Sequence, residues 1–244
     1  MVGSSVLDQR RGSKKASKKK LTGQSTCGNL GVLREIKSSP TTHMAKPGIT
    51  KDKLLQVAFD LIWTSSYGSV SVGDICDRAG VNKGSFYHFF ESKADLAVEA
   101  YQEHWREKQP ELDRIFSSQV PPLERIQNWC RFVYESQKLK AEKYGHVCGC
   151  PYASIGAEVA TQDEKIRVRA EELMNRGKRY LESAIADAIR VGAVTAKDAG
   201  LAAHRVHSMV LGMMLEAKVQ NNLEILRDLE APIMAIIGAQ GVAV

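Results

Sequence analysis

The chain has 244 residues, 43% hydrophobic and 25% charged, with a formal net charge of +6. That is enough for one large domain or two small ones. No run of about 18 apolar residues argues for a membrane-spanning helix, the basic N-terminus lacks the apolar stretch of a secretory signal, and five scattered cysteines fit a reducing cytoplasm better than a disulfide framework. The charge is uneven: residues 1–49 hold ten Lys/Arg against two acids, and the other 195 residues sum to −2. The basic character therefore belongs to a tail.

Residues 1–46 are rich in Ser, Thr, Gly and Lys, without apolar periodicity, and read as a disordered basic tail. Arg10-Arg11 and Lys18-Lys19-Lys20 would add non-specific attraction to nucleic acid, or would simply be solvated. Met44 offers an alternative translation start. From Thr50 the pattern turns helical. Leu54, Val57, Ala58, Leu61 and Ile62 share one face, with Thr50 as the expected N-cap. Ser71-Val72-Gly73-Asp74 is a capping-box pattern that opens a second helix ending at Gly80. A third runs from about Asn82 to Phe90. Ser92-Lys93-Ala94-Asp95 opens a fourth, expected to stop near Lys108 before Pro110. Further helices are expected over Pro122–Glu142, Tyr152–Ala160, Gln162–Val191, Lys197–Asn221 and Leu223–Ile237. No segment alternates with the period of a strand. The fold class is all-α.

Ala79-Gly80-Val81 joins the second and third helices as a helix-turn-helix unit over about 71–90. Gly80 supplies the positive φ of the tight turn. The second helix of such a pair enters the DNA major groove. On it Phe86, Phe89 and Phe90 fall on one broad face, and Tyr87 and His88 on another, with Lys83 and Ser85 near its start. The phenylalanines would hold a short helix that cannot stand alone. The outward donors suit phosphate oxygens and base edges, and Gly84 lets backbone approach DNA. Residues 50–96 carry five bases and six acids, so affinity must come from placed groups and helix N-termini.

Thr50 to about Ala100 resembles the N-terminal domain of the TetR/AcrR family of transcriptional repressors. The matching residues are Ala58, Leu61, Ile62, Ser71-Val72, Asp74-Ile75, Ala79-Gly80-Val81, Lys83-Gly84-Ser85-Phe86-Tyr87, Phe90, Ser92-Lys93 and Leu96. The resemblance implies a DNA-reading domain over 47–107, with Thr50, Ser71, Lys83, Gly84, Ser85, Tyr87, His88 and Lys93 toward DNA. It also implies a helical effector-binding and dimerisation domain over 108–244. Two positions depart from the pattern: Ser66 stands where a glycine usually follows the first helix, and Phe89 where His or Tyr is common.

A helix-turn-helix reads a palindrome as a pair. Leu201, Val206, Met209, Val210, Met213, Met214 and Ala217, with Leu226, Leu229, Ile233, Ile236 and Ile237, are the expected dimer contact through the last two helices, though ordinary core would explain about half of them. The resemblance implies a four-helix bundle there. It also implies a cavity for a small inducer, with Trp105, Trp129, Phe132, Val133, Tyr152, Ile155 and Met209 as candidate lining. The loop His146-Val147-Cys148-Gly149-Cys150-Pro151 leaves three readings open. Cys148 and Cys150 are packed small thiols, a redox or electrophile sensor, or, with His146, a metal site lacking a fourth ligand. With Tyr152–Ala160 the loop resembles repressors of the N-ethylmaleimide-reductase type, some of which sense electrophiles.

The expected function is a one-component regulator: a homodimer on a palindromic double-stranded DNA operator, released by a small molecule, with no cofactor and no membrane partner. An enzyme is the competing class, but no P-loop, HExxH, dinucleotide fingerprint or Cys–His–Asp arrangement occurs. An architectural DNA binder that relies on the tail is the third.

Overall fold

The computed structural model describes residues 47–239. The basic tail 1–46 lies outside the described residues. Nine α-helices and one 3₁₀ turn make up the described chain: α1 Pro47–Thr64, α2 Val72–Ala79, α3 Lys83–Phe89, α4 Lys93–Ile115, α5 Pro122–Tyr144, α6 Pro151–Val159, α7 Glu164–Arg190, α8 Ala199–Gln220, the 3₁₀ turn Leu223–Leu226 and α9 Glu230–Ile237. Among the described residues the only β-type pairing is one bridge between Val194 and Ala239. No helix among them is long and apolar enough to cross a membrane.

The caps explain most boundaries. The Ser71 hydroxyl accepts from the Asp74 N–H at 3.1 Å and the Asp74 carboxylate accepts from the Ser71 N–H at 2.8 Å. That reciprocal box starts α2. Gly80 ends it at φ 65°. Its side of the turn is open, with only the Lys53 ammonium 3.8 Å from where a Cβ would stand, so strain alone governs substitution there. Gly80→Ala is expected to cost about 1–2 kcal/mol, read as a lower urea midpoint with an unchanged slope. Asn82, Ser92, Asp163 and Asp198 cap α3, α4, α7 and α8, each through a side-chain oxygen that accepts from the backbone N–H three residues on.

Four boundaries differ from expectation. α1 begins at Pro47, so Thr50 sits inside its first turn, 8% exposed, and is not the N-cap. α4 passes through Pro110 to Ile115. Proline there removes one backbone donor, and the burial of Leu112 and Ile115 beyond it outweighs the loss. A single helix thus crosses position 107/108. α7 starts at Glu164, two residues after the expected Gln162, because Asp163 supplies the cap. The last apolar segment is not one helix: Asn222 caps a 3₁₀ turn, and α9 is a separate eight-residue helix.

Two hydrophobic cores form. The first joins α1 to α4 with α6 and the start of α7, through Leu54, Phe59, Ile75, Phe86, Leu96, Ile155 and Leu173. The second joins α5, the end of α7, α8, the 3₁₀ turn and α9, through Ile126, Leu181, Ile185, Val206, Leu226 and Ile233. Arg125 is buried beneath the α4–α5 loop. It donates to Asp187 at 2.6 Å and to the Val120 and Ser118 carbonyls.

Candidate DNA-reading surface and effector cavity

The aromatic run on α3 divides as its spacing predicts, with one refinement. Phe86 is fully buried and Phe90 is buried just past the helix, in extended backbone. Phe89, the last helical residue, is half-buried against the first core, with the His88 ring edge-on at 4.8 Å. One side of its ring packs on protein and the other stays in reach of solvent. Tyr87 stands 60% exposed, braced at its base by the edge of Phe86. His88 and Lys83 are exposed beside it. Lys83 leans back over the first turn of α2, its Cε 3.8 Å from where a Cβ on Gly73 would stand. An ammonium and the free N–H groups of an eight-residue helix therefore meet at one place.

Two expected contacts are turned into the protein: Lys93 has partners there and Thr50 is buried. Lys93 donates to the Tyr67 and Val70 carbonyls at 2.8 and 2.9 Å, its ammonium 4.0 Å above the Tyr67 ring. Burial lowers its pKa. It pins the α1–α2 loop from below. Thr50 is turned inward. The remaining residues also have defined places: Ser85 shares the Asn82 cap, and a Cβ on Gly84 would press that cap at 3.1 Å, so the glycine serves the helix start as well as the surface. Ser66 needs no glycine backbone; its φ is ordinary, and its hydroxyl bonds Ser69.

Sequence reasoning missed Glu158. From α6 its carboxylate accepts from the Tyr67 and Gly68 N–H groups at 2.9 and 2.7 Å. The loop that leads into Ser71 is therefore held by α4 through Lys93 and by α6 through Glu158. Nothing local in the sequence marks this pairing, which spans some 90 residues.

A cavity of about 170 Å³ lies at the seam of the two cores. Trp105, Trp129, Phe132, Val133 and Tyr152 line it, as does Cys150. Ile155 does not: it packs in the first core over a small separate void beside Tyr101. Met209 packs against the second core instead. Cys148 is fully buried outside the cavity. Sequence reading also missed Trp63, His104, Lys108, Lys140 and His207, all cavity residues. Four of them are polar groups that look solvated on a helical wheel, and Trp63 belongs to α1. Burial, reinforced by Lys108 and Lys140, pushes the His104 imidazole down to about 3, and burial takes His207 to about 4; both are neutral rings at ordinary pH.

The cysteine loop is fixed to α5. Gln137, 3% exposed, donates to the Gly149 carbonyl and accepts from its N–H. Burial raises both the Cys148 and the Cys150 thiol, which disfavours the thiolate that redox chemistry needs. Among the described residues no three His, Cys, Asp or Glu side chains converge as metal ligands.

An all-α chain with a capped helix-turn-helix at one end and an aromatic cavity behind it is a one-component regulator in form. Two family models match it: "Bacterial regulatory proteins, tetR family" over residues 54–100 and "Tetracyclin repressor-like, C-terminal domain" over 122–231. The two together span more than half of the chain. It is 28% identical over 181 residues to an uncharacterised HTH-type transcriptional regulator of Lactococcus lactis subsp. lactis, covering 73% of this chain and 88% of that one. It is 26% identical over 200 residues to the HTH-type transcriptional repressor NemR of Escherichia coli K12, covering 79% and 96%. The crystal structure of reduced Escherichia coli NemR superposes with a TM-score of 0.68 at 23% identity, over 79% of this chain and 99% of that one. The chain belongs to the TetR family and is a helix-turn-helix transcriptional regulator.

Proposed function

We propose that the protein is a repressor that binds a palindromic operator as a homodimer and leaves it when a small molecule fills the cavity. The observation that carries this reading is the outward set Tyr87, His88 and Lys83, held rigid by a buried Phe86 beside the N-terminus of α2. With Ser71, Gly84 and Ser85 they form the DNA-reading surface. Thr50 and Lys93 act from behind by fixing the helices and the loop that present it. The DNA-reading part spans 47–107 and the effector and dimer part 108–244, with α4 common to both.

The dimer face is narrower than the apolar count in the last helices. Val206, Val210, Ala217, Leu226, Leu229, Ile233 and Ile237 are buried within one chain. Among the exposed residues of α8, Leu201, Arg205, Ser208, Gly212, Leu215 and Val219 form one stripe, with His204, Glu216 and Gln220 exposed beside it. The stripe residues recur at three- and four-residue steps, the seam spacing of paired helices, and small Ser208 and Gly212 permit close approach. The exposed apolar Leu201, Leu215 and Val219 would be covered by a second copy, with half-buried Met209, Met213 and Ile236 at the margin.

Release would pass through two elements. α4 carries Trp105 and Lys108 in the cavity and Lys93 under the loop; α6 carries Tyr152 in the cavity and Glu158 on the loop. A ligand that moves either one moves the entry to α2. Glu158→Ala is expected to leave operator affinity within about threefold, because the freed N–H groups are near solvent, and to blunt ligand-induced release at least fivefold. Fluorescence anisotropy of operator DNA with and without ligand measures both. The function itself is tested by selecting bound sequences from a random duplex pool: a repressor enriches a palindrome and an architectural binder enriches nothing.

Thiol sensing has less support than reversible binding, because Cys148 is buried, Cys150 is half-buried at the cavity wall, and desolvation raises both thiols. If it operates, Cys148→Ser with Cys150→Ser removes any release by oxidants.

A further inference from the structure

We propose that the cavity takes a small aromatic anion, a one-ring carboxylate or phenolate, with its negative end among Lys108, Lys140 and the indole N–H of Trp63. The inference rests on reading the cavity as the effector site and names the ligand class that site selects.

Charge is the first argument. Two lysines line the cavity and no Asp or Glu does. The carboxylate that acts on Lys140 from nearby, Asp60, is already engaged by the Lys143 ammonium at 3.1 Å and the Tyr144 hydroxyl at 2.6 Å. Lys140 is half-buried, its ammonium resting 5.2 Å above the Trp63 ring. Burial and the neighbouring Lys108 and Lys143 all lower its pKa, which is the condition of a cation short of a counter-ion. The neutral histidines of the wall do not supply one.

Trp63 points to the same ligand independently of charge. Trp63 is 4% exposed and lines the cavity, and its indole N–H has no acceptor. A buried donor without a partner carries a desolvation cost that an incoming oxygen removes. The orphan N–H, the cation above the same ring and the second lysine offer one oxyanion a hydrogen bond and two opposite charges.

Shape sets the rest of the molecule. The lining also includes Trp105, Trp129, Phe132 and Tyr152, which favours a flat ring. An apolar cavity of about 150 Å³ accepts a benzene, so 170 Å³ suits one ring with small substituents. Such a ligand would join α1 through Trp63, α4 through Lys108 and α5 through Lys140. It therefore touches the first helix of the DNA-reading part directly.

The chain contains three tryptophans and all three line the cavity, so intrinsic fluorescence reports on it without a label. Full-length protein is titrated with benzoate, with benzamide as the neutral isostere and with benzyltrimethylammonium as the cation. Benzoate is expected to change the emission saturably at a concentration at least tenfold below benzamide, and the cation is expected to give no saturable change. Lys140→Met and Lys108→Met, each keeping an apolar stem, are expected to erase that preference while leaving benzamide unchanged. Trp63→Phe should weaken benzoate severalfold. Equal or tighter binding of benzamide, no saturable response to benzoate, or a benzoate response indifferent to Lys140→Met overturns the proposal. Operator anisotropy on the same samples separates the two readings. Benzoate that fills the cavity without releasing DNA refutes the effector role and leaves the ligand class standing. Release by neutral aromatics but not by benzoate does the reverse.

Discussion

Replacing Tyr87 and Lys83 by alanine is expected to weaken operator binding at least 100-fold while leaving the fold intact. Each protomer would lose a phenol and an ammonium, and a hydrogen bond to a charged group contributes about 1.5–3 kcal/mol. Four such contacts vanish in a dimer. Even with strong non-additivity the loss exceeds about 3 kcal/mol, which is more than 100-fold. The salt dependence separates the two side chains: removing Lys83 from both half-sites should reduce the slope of log affinity against log salt by about 2, and Tyr87→Ala alone should leave it nearly unchanged. Neither residue supports the core. Tyr87 is 60% exposed and Lys83 is exposed, so the melting temperature should stay within about 2 °C. Lys93→Ala would be a poor substitute for this test, because it also frees the Tyr67 and Val70 carbonyls.

Phe86→Ala is expected to act in the opposite way, through the fold. Phe86 has no exposed surface and contacts Tyr87 and Phe90 edge-on or tilted. Truncating a buried phenylalanine costs about 3–5 kcal/mol. α3 has seven residues, too few to persist without tertiary support. Calorimetry should record a melting temperature lower by roughly 10 °C, and operator binding should fall with it. Phe89→Ala, at a half-buried site, should cost markedly less. The contrast between a stable non-binder at Tyr87 and Lys83 and an unstable one at Phe86 separates presenting residues from supporting ones.

The parts of this structure that rest on local rules were legible in the sequence. Capping boxes, the left-handed Gly80 and three-to-four spacing are short-range, and they defined α2, α3 and the opening of α4. Pro110 misled because a local rule met a tertiary contact: Leu112 and Ile115 are buried by partners far along the chain. Lys93 and Glu158 were misread or unseen for the same reason, since their acceptor and donor groups are backbone atoms of a loop 23–91 residues away. The cavity was half legible. Aromatic residues announced themselves, but Lys108, Lys140, His104 and His207 looked like solvent-facing positions until packing enclosed them. Trp63 was hidden by belonging to α1, which the sequence assigns to DNA reading.

An occupied cavity should loosen the dimer from one particular DNA sequence. The anisotropy of the selected palindromic duplex bound to full-length protein, followed as a one-ring aryl carboxylate is added, measures this. Two protomers per palindrome are expected, with half-site centres one helical turn or a multiple apart. Release is expected over the concentration range in which the tryptophan emission changes, with the Lys140→Met protein remaining bound. Tight, sequence-indifferent binding that the carboxylate leaves untouched while it fills the cavity would contradict both expectations.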